Sequence, residues 1–111
     1  METKNIYDAI VPPSGAGGAI LELARIDIKE GTNQKFEAAL EIAKGVISQS
    51  KGFQSITIKK SIEQSNRYIL LIYWETLEDH TVGFRESELF KEWRALIGPF
   101  FLEAPLVQHY T

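Results

Sequence analysis

The sequence predicts an α+β domain with elements in the order β-α-β-β-α-β, a split βαβ or ferredoxin-like pattern with an antiparallel sheet. Two observations carry this. Apolar residues recur at helical spacing in two places, once after residue 33 and once after residue 76. Around them stand four stretches rich in strand formers, 19–28, 53–61, 67–74 and 104–110, separated by Gly, Pro, Asn and Ser breakers.

Residues 1–18 read as an N-terminal arm and 19–111 as the domain. PPSGAGG (12–18) is a breaker cluster, which leaves Ile6, Tyr7, Ile10 and Val11 on an arm expected to pack across a partner subunit. AILELARIDI (19–28) is the first strand, bounded by Gly18 and Gly31. Thr32 or Asn33 can cap the helix that follows, in which Phe36, Leu40, Ala43 and Ile47 share one face. Gly52 ends it. FQSITIKKS (53–61) alternates, with Ile56 and Ile58 to one side and Ser55, Thr57 and Lys59 to the other, as a half-exposed strand does. RYILLIYW (67–74) is apolar on both faces and reads as a central strand.

Thr76 with Asp79 fits a capping box, and Leu77, Thr81 and Phe84 form a short inward stripe beside His80. Ser87 caps a second helical piece that turns Leu89, Phe90, Trp93, Leu96 and Ile97 inward, until Gly98-Pro99 stops it. APLVQHY (104–110) is the last strand. In the expected sheet, strands one and three form a parallel central pair and both helices cover one face. The second apolar face of 67–74 then needs other cover. A second copy supplies it, so a homodimer through the sheet face is expected.

Composition sets the outer bounds. The chain has 111 residues, 44% hydrophobic and 24% charged, with a net charge of −3 and no cysteine. One domain is expected. Scattered Lys and Arg give no basic stripe for nucleic acid. No run approaches the ~18 apolar residues of a membrane span, and METKNIYDAIVPP lacks a signal-peptide core. A cytoplasmic protein without membrane or nucleic-acid partners is the expectation. His80 and His109 show no metal-ligand spacing, so no metal is expected.

Over 19–110, and most densely in RYILLIYWETLEDHTVGFRESELFKEWRALIGPFF…P…HY, the chain resembles the antibiotic biosynthesis monooxygenase family of dimeric α+β barrels. The resemblance implies a dimer with a pocket between sheet and helices. Such families include cofactor-free oxygenases of aromatic polyketides, haem degraders and proteins acting on small signalling molecules. The haem degraders' Asn, Trp and His fall here on Ala24, Gly83 and Trp93, so haem degradation is not expected, and no cofactor is.

The implied reaction is oxidation of a small aromatic or enolisable substrate by O₂. His80 is the candidate base, its pKa lying near neutrality; its other reading is a helix-start histidine bonded to backbone or a carboxylate. Arg85 and Tyr73 are candidate donors to the anion. Trp74, Phe84, Phe90 and Trp93 are candidate substrate-binding residues, and Pro99-Phe100-Phe101 a possible lid. Arg25 can steady an oxyanion or pair with Asp27 or Glu22. The rival functions are a non-catalytic dimeric ligand-binding or stress-related module, and an isomerase of a small carbonyl compound.

Overall fold

The computed structural model describes residues 19–111. The expected arm contacts lie outside the described residues. The elements are β1 (Ile20–Asp27), α1 (Asn33–Ile47), β2 (Phe53–Lys60), β3 (Arg67–Trp74), a π-helical turn (Asp79–Phe84), α2 (Glu88–Ile97), a 3₁₀ turn (Gly98–Phe100) and β4 (Leu106–Tyr110).

The sheet runs β2-β3-β1-β4, and every neighbouring pair is antiparallel. This corrects the expected parallel pairing of strands one and three: Ile20 lies opposite Trp74 and Asp27 opposite Arg67. The reason is geometric. Each helical crossover makes the strands it joins parallel, but it leaves one strand's width between them. β3 fills the gap between β1 and β2, and β1 fills the gap between β3 and β4.

The pleat sorts β1 and β3 into two faces. Glu22, Ala24 and Ile26 of β1 point inward with Tyr68, Leu70, Ile72 and Trp74 of β3, and all are buried. The face of α1 read from the sequence packs on them, with Phe36, Leu40, Ala43 and Ile47 all buried. From α2 come Trp93 and Ile97. On the other face, Leu71 and Tyr73 are 7% and 9% exposed.

The caps differ in detail from the reading of the sequence. Thr32 precedes α1 without capping it; its hydroxyl donates to the Lys29 carbonyl instead. The Asn33 amide donates to the Ser65 carbonyl and the Tyr68 hydroxyl, tying the start of α1 to the β2–β3 connection. Thr76 Oγ1 accepts from the Asp79 N–H at 3.1 Å, and Ser87 Oγ accepts from the Phe90 N–H at 3.3 Å. Gly52, at φ 83°, turns the chain from α1 into β2. A Cβ there would overlap the Asp79 carboxylate, so only glycine lets the two corners touch.

The segment after β3 departs from expectation at Leu77, which is 39% exposed, while His80 and Phe84 face inward. The Arg85 N–H bonds the His80 carbonyl, five residues back, which widens the turn.

Candidate active site

A cavity of about 480 Å³ lies between the inner face of the sheet and the second helical region, a size typical of small-molecule sites. Ala24, Ile26, Leu70 and Ile72 form its floor, Phe84, Phe90 and Trp93 its roof, and Phe101 and Val107 its side. The three roof rings pack edge to face: Phe84 lies 5.4 Å from Phe90 and 6.1 Å from Trp93, centroid to centroid. Five polar side chains reach the cavity: Glu22, His80, Arg85, Arg94 and Glu103.

Glu22 organises one end. It sits on β1 in phase with Ala24 and Ile26, which commits its carboxyl to the interior; only 6% of the residue is exposed. Trp74, two residues beyond Glu22's register partner Ile72 and on the same face, donates its indole N–H to Glu22 Oε1 at 2.9 Å. His80 Nε2 lies 3.3 Å from that same oxygen. Among the described residues Oε2 has no hydrogen-bond partner, and it is not fully enclosed. His80 is 3% exposed and stacks on Trp74 at 5.3 Å and 19°. Its Nδ1 meets His109 Nε2 at 2.8 Å. His109 arrives there because β4 pairs with β1 in a register that sets it opposite Glu22.

Burial dictates the electrostatics. It pushes the Glu22 carboxyl up to about 7, against the Trp74 hydrogen bond and the nearby Arg85 guanidinium, which both favour the anion. It pushes the His80 imidazole down to about 4, helped by Arg85 and by His109. His109 is lowered too, by burial and then Arg85. Between about pH 4 and 7 Glu22 and His80 are therefore two neutral groups in close contact, not an ion pair. At neutrality the carboxyl is poised between its two forms.

The structure brings His80, Arg85, Phe84, Phe90 and Trp93 to one cavity. Trp74 is elsewhere than expected: it is wholly buried behind His80 and braces the imidazole and Glu22 rather than lining the space. Tyr73 needs a larger correction. The pleat sends it to the opposite face of the sheet from Trp74, so it cannot donate into this cavity. Arg25 also lies on that opposite face, 3.7 Å from Asp27. In the expected lid, Phe101 lines the cavity, whereas Phe100 packs edge-on against Phe36.

Sequence reasoning missed Glu22 and His109. A signal for Glu22 was present: a single carboxylate at the inward phase of an otherwise apolar strand. His109 alternates with Val107 in the same way, but its partner depends on the β1–β4 register, which the sequence does not print. Among the described residues no group of three or more side chains is arranged to hold a metal. Ala24 and Trp93, set against the haem degraders' Asn and His, both line the cavity, while Gly83 is exposed.

A β-α-β-β-α-β sheet with a ligand-sized cavity under its helices defines a ferredoxin-like α+β domain. The family model for antibiotic biosynthesis monooxygenase matches residues 19–96, and the chain belongs to that family. It is 44% identical over 91 residues to the uncharacterized protein YczJ of Bacillus subtilis (strain 168), covering 82% of this chain and 96% of that one. A Bordetella bronchiseptica structure assigned to the antibiotic biosynthesis monooxygenases superposes with a TM-score of 0.83 at 38% identity, over 85% of this chain and 96% of the other. SnoaB, a cofactor-independent oxygenase from Streptomyces nogalater, shares the fold, with a TM-score of 0.70 at 12% identity over 84% and 91% of the two chains. No helix among the described residues is long and apolar enough to cross a membrane.

Proposed function

We propose that the protein is a cofactor-independent monooxygenase that takes a proton from a small aromatic or enolisable substrate and lets the resulting anion reduce O₂. The observation that supports this best is the Glu22 carboxyl, poised near neutrality at the end of an aromatic cavity. A base with a pKa near the working pH combines the right protonation state with adequate strength. His80 is displaced from the base's role, because both its ring nitrogens are engaged by Glu22 and His109. Glu22 is the base and His80 its partner.

For a phenol-type substrate, the carboxylate takes the proton and the electron-rich ring adds O₂. The peroxide is protonated, and its O–O bond breaks as the carbon loses its hydrogen. One oxygen stays as a carbonyl and the other leaves as water, so the substrate loses two hydrogens and gains one oxygen. Arg85 at the cavity steadies the anion. Phe84, Phe90 and Trp93 hold the flat ring and keep water out. The family and the oxygenase SnoaB support the reaction class.

The working unit is a homodimer. The family supports this; on the sheet's outer face Leu71 and Tyr73 are already buried within the single chain, and the half-buried Leu21, Leu23 and Ile69 beside them are what a second sheet would cover.

Oxygen uptake tests the reading. Phenols, naphthols and hydroquinones that raise the melting temperature should be consumed under air in metal-free buffer, with O₂ loss matching product. Ligands that bind without O₂ uptake would leave the non-catalytic module, and rearrangement without O₂ uptake the isomerase.

A further inference from the structure

We infer that Glu22, His80 and His109 form a proton conduit joining the polar end of the cavity to the edge of the sheet. The conduit rests on the reading of Glu22 as the group that takes the substrate's proton. It answers a question that reading raises: how a buried carboxyl changes its protonation state when substrate fills the cavity.

The three groups lie in close series. Glu22 Oε1 lies 3.3 Å from His80 Nε2, and His80 Nδ1 lies 2.8 Å from His109 Nε2. One side of the path is walled. Trp74 stacks on the His80 ring, and Phe84 lies beside Trp74, 5.6 Å from it and 6.4 Å from His80. His109 is half-buried on β4, which among the described residues has one neighbouring strand. A structural brace needs one donor and one acceptor. Here the buried imidazole instead joins two groups that can each gain and lose a proton.

Outward transfer balances as follows. The Glu22 Oε1–H bond breaks and an Nε2–H bond forms on His80. The His80 Nδ1–H bond breaks and an Nε2–H bond forms on His109. The His109 Nδ1 proton passes to water. Glu22 ends as carboxylate, and each imidazole ends neutral with its proton on the other nitrogen. Inward transfer is the exact reverse and resets both rings. No imidazolium forms, which suits a site where burial and Arg85 oppose one. The remaining charged groups facing this space, Arg94 and Glu103, lie at the cavity and off the path.

This predicts a tautomer switch that a brace would not show. ¹⁵N spectra of the ring nitrogens should report neutral imidazoles on both sides of the switch. Both should carry the proton on Nδ1 well below pH 7 and on Nε2 well above it, with one shared midpoint near the Glu22 value of about 7. In Glu22→Gln the switch should vanish from both rings. In His109→Phe, which keeps the ring's bulk, His80 ring protons should exchange with solvent more slowly, whereas mere loosening would speed them. Fixed tautomers across neutrality, a switch that survives Glu22→Gln, or faster exchange in His109→Phe would each overturn the conduit. None of these readouts needs turnover. A switch without O₂ uptake on any substrate would leave the conduit standing and remove the monooxygenase. O₂ uptake lost in Glu22→Gln with tautomers fixed would do the opposite.

Discussion

β1 carries two carboxylates five positions apart, and the molecule treats them in opposite ways. Glu22 points inward, is desolvated, meets an indole and an imidazole, and holds its proton to about pH 7. Asp27 points outward and takes two hydrogen bonds from the Arg67 guanidinium, at 2.8 and 3.0 Å, with Arg25 close by. Those bonds hold its carboxyl below the usual range. An odd separation on a pleated strand is enough to put one acid in the cavity and the other in a surface ion-pair cluster. When environments push two like groups apart in this way, the raised one is the candidate for proton transfer.

The largest effect that separates the two should be kinetic. Glu22→Gln keeps the shape and the Trp74 hydrogen bond but removes the base, and should cost ~10²–10⁴-fold in the rate of substrate oxidation if proton transfer limits it. Asp27→Asn should leave that rate within a factor of about two, since nothing of it reaches the cavity. Equal losses in the two variants would mean that the contrast is one of stability alone.

Trp74 tests what supports the inward acid. Trp74→Ala empties a wholly buried site and should cost ~3–5 kcal/mol in denaturant unfolding. Trp74→Phe keeps most of the packing and removes the donor to Glu22 Oε1. That variant should move the Glu22 midpoint, followed by carboxyl ¹³C shifts, above the wild-type value, because the hydrogen bond favours the anion. An unchanged midpoint would show that burial alone sets it.

How much of this contrast the sequence displays depends on which interactions are local. The helix faces, the central strand 67–74 and the breakers are local patterns, and they survive in the structure. The inward turn of Tyr68, Leu70, Ile72 and Trp74 is also local, and by the same alternation Tyr73 belongs on the far side. The π-helical turn is not: the sequence ETLEDHTVGF fits an ordinary helix with Leu77 inward beside His80 and Phe84, and in the structure Leu77 faces out. The Glu22–His109 and Glu22–Trp74 neighbours depend on strand registers set by the whole sheet. The part of the cavity carried by the second helical region, with Phe84, Phe90, Trp93, His80 and Arg85, was therefore legible from local spacing, and the part carried by strand register, Glu22 and His109, was not.

Stability against pH sharpens the same comparison. Glu22 has a raised pKa in the folded state, from 4.5 to about 7, so its contribution is full below 4.5 and is lost as pH rises toward 7. His80, lowered from 6.5 to about 4, contributes stability above 6.5 that is lost as pH falls toward 4, and His109 acts in the same direction. Between 4.5 and 6.5 the two imidazoles outweigh the carboxyl and stability should rise. Just above 6.5 only Glu22 still titrates and stability should fall, giving a maximum close to that pH. In Glu22→Gln the fall should become a plateau, since the group responsible is gone. Unfolding free energies at closely spaced pH values decide this. A wild-type curve still rising through pH 7 would show that Glu22 is an ordinary ionised carboxylate.

The smallest effect belongs to Asp27. Its partners are arginines on the outer face, in contact with water, where screening leaves an ion pair little net value. Asp27→Asn should therefore lower the melting temperature slightly, and the difference from wild type should shrink as salt is added. It should also change the acid limb. The native carboxylate, held below its normal value of 3.8, contributes stability present above that pH and lost below it, so the variant should lose less on acidification. The size of the effect also bears on the dimer, because Asp27 shares its face of the sheet with Leu71 and Tyr73. If that face meets a second copy, Asp27 and its arginines are desolvated there, and removing the carboxylate leaves a cation without its partner. Asp27→Asn should then weaken dimerisation in sedimentation far more than it lowers the melting temperature of the subunit. A variant that dimerises as tightly as wild type would place this end of the outer face outside the contact.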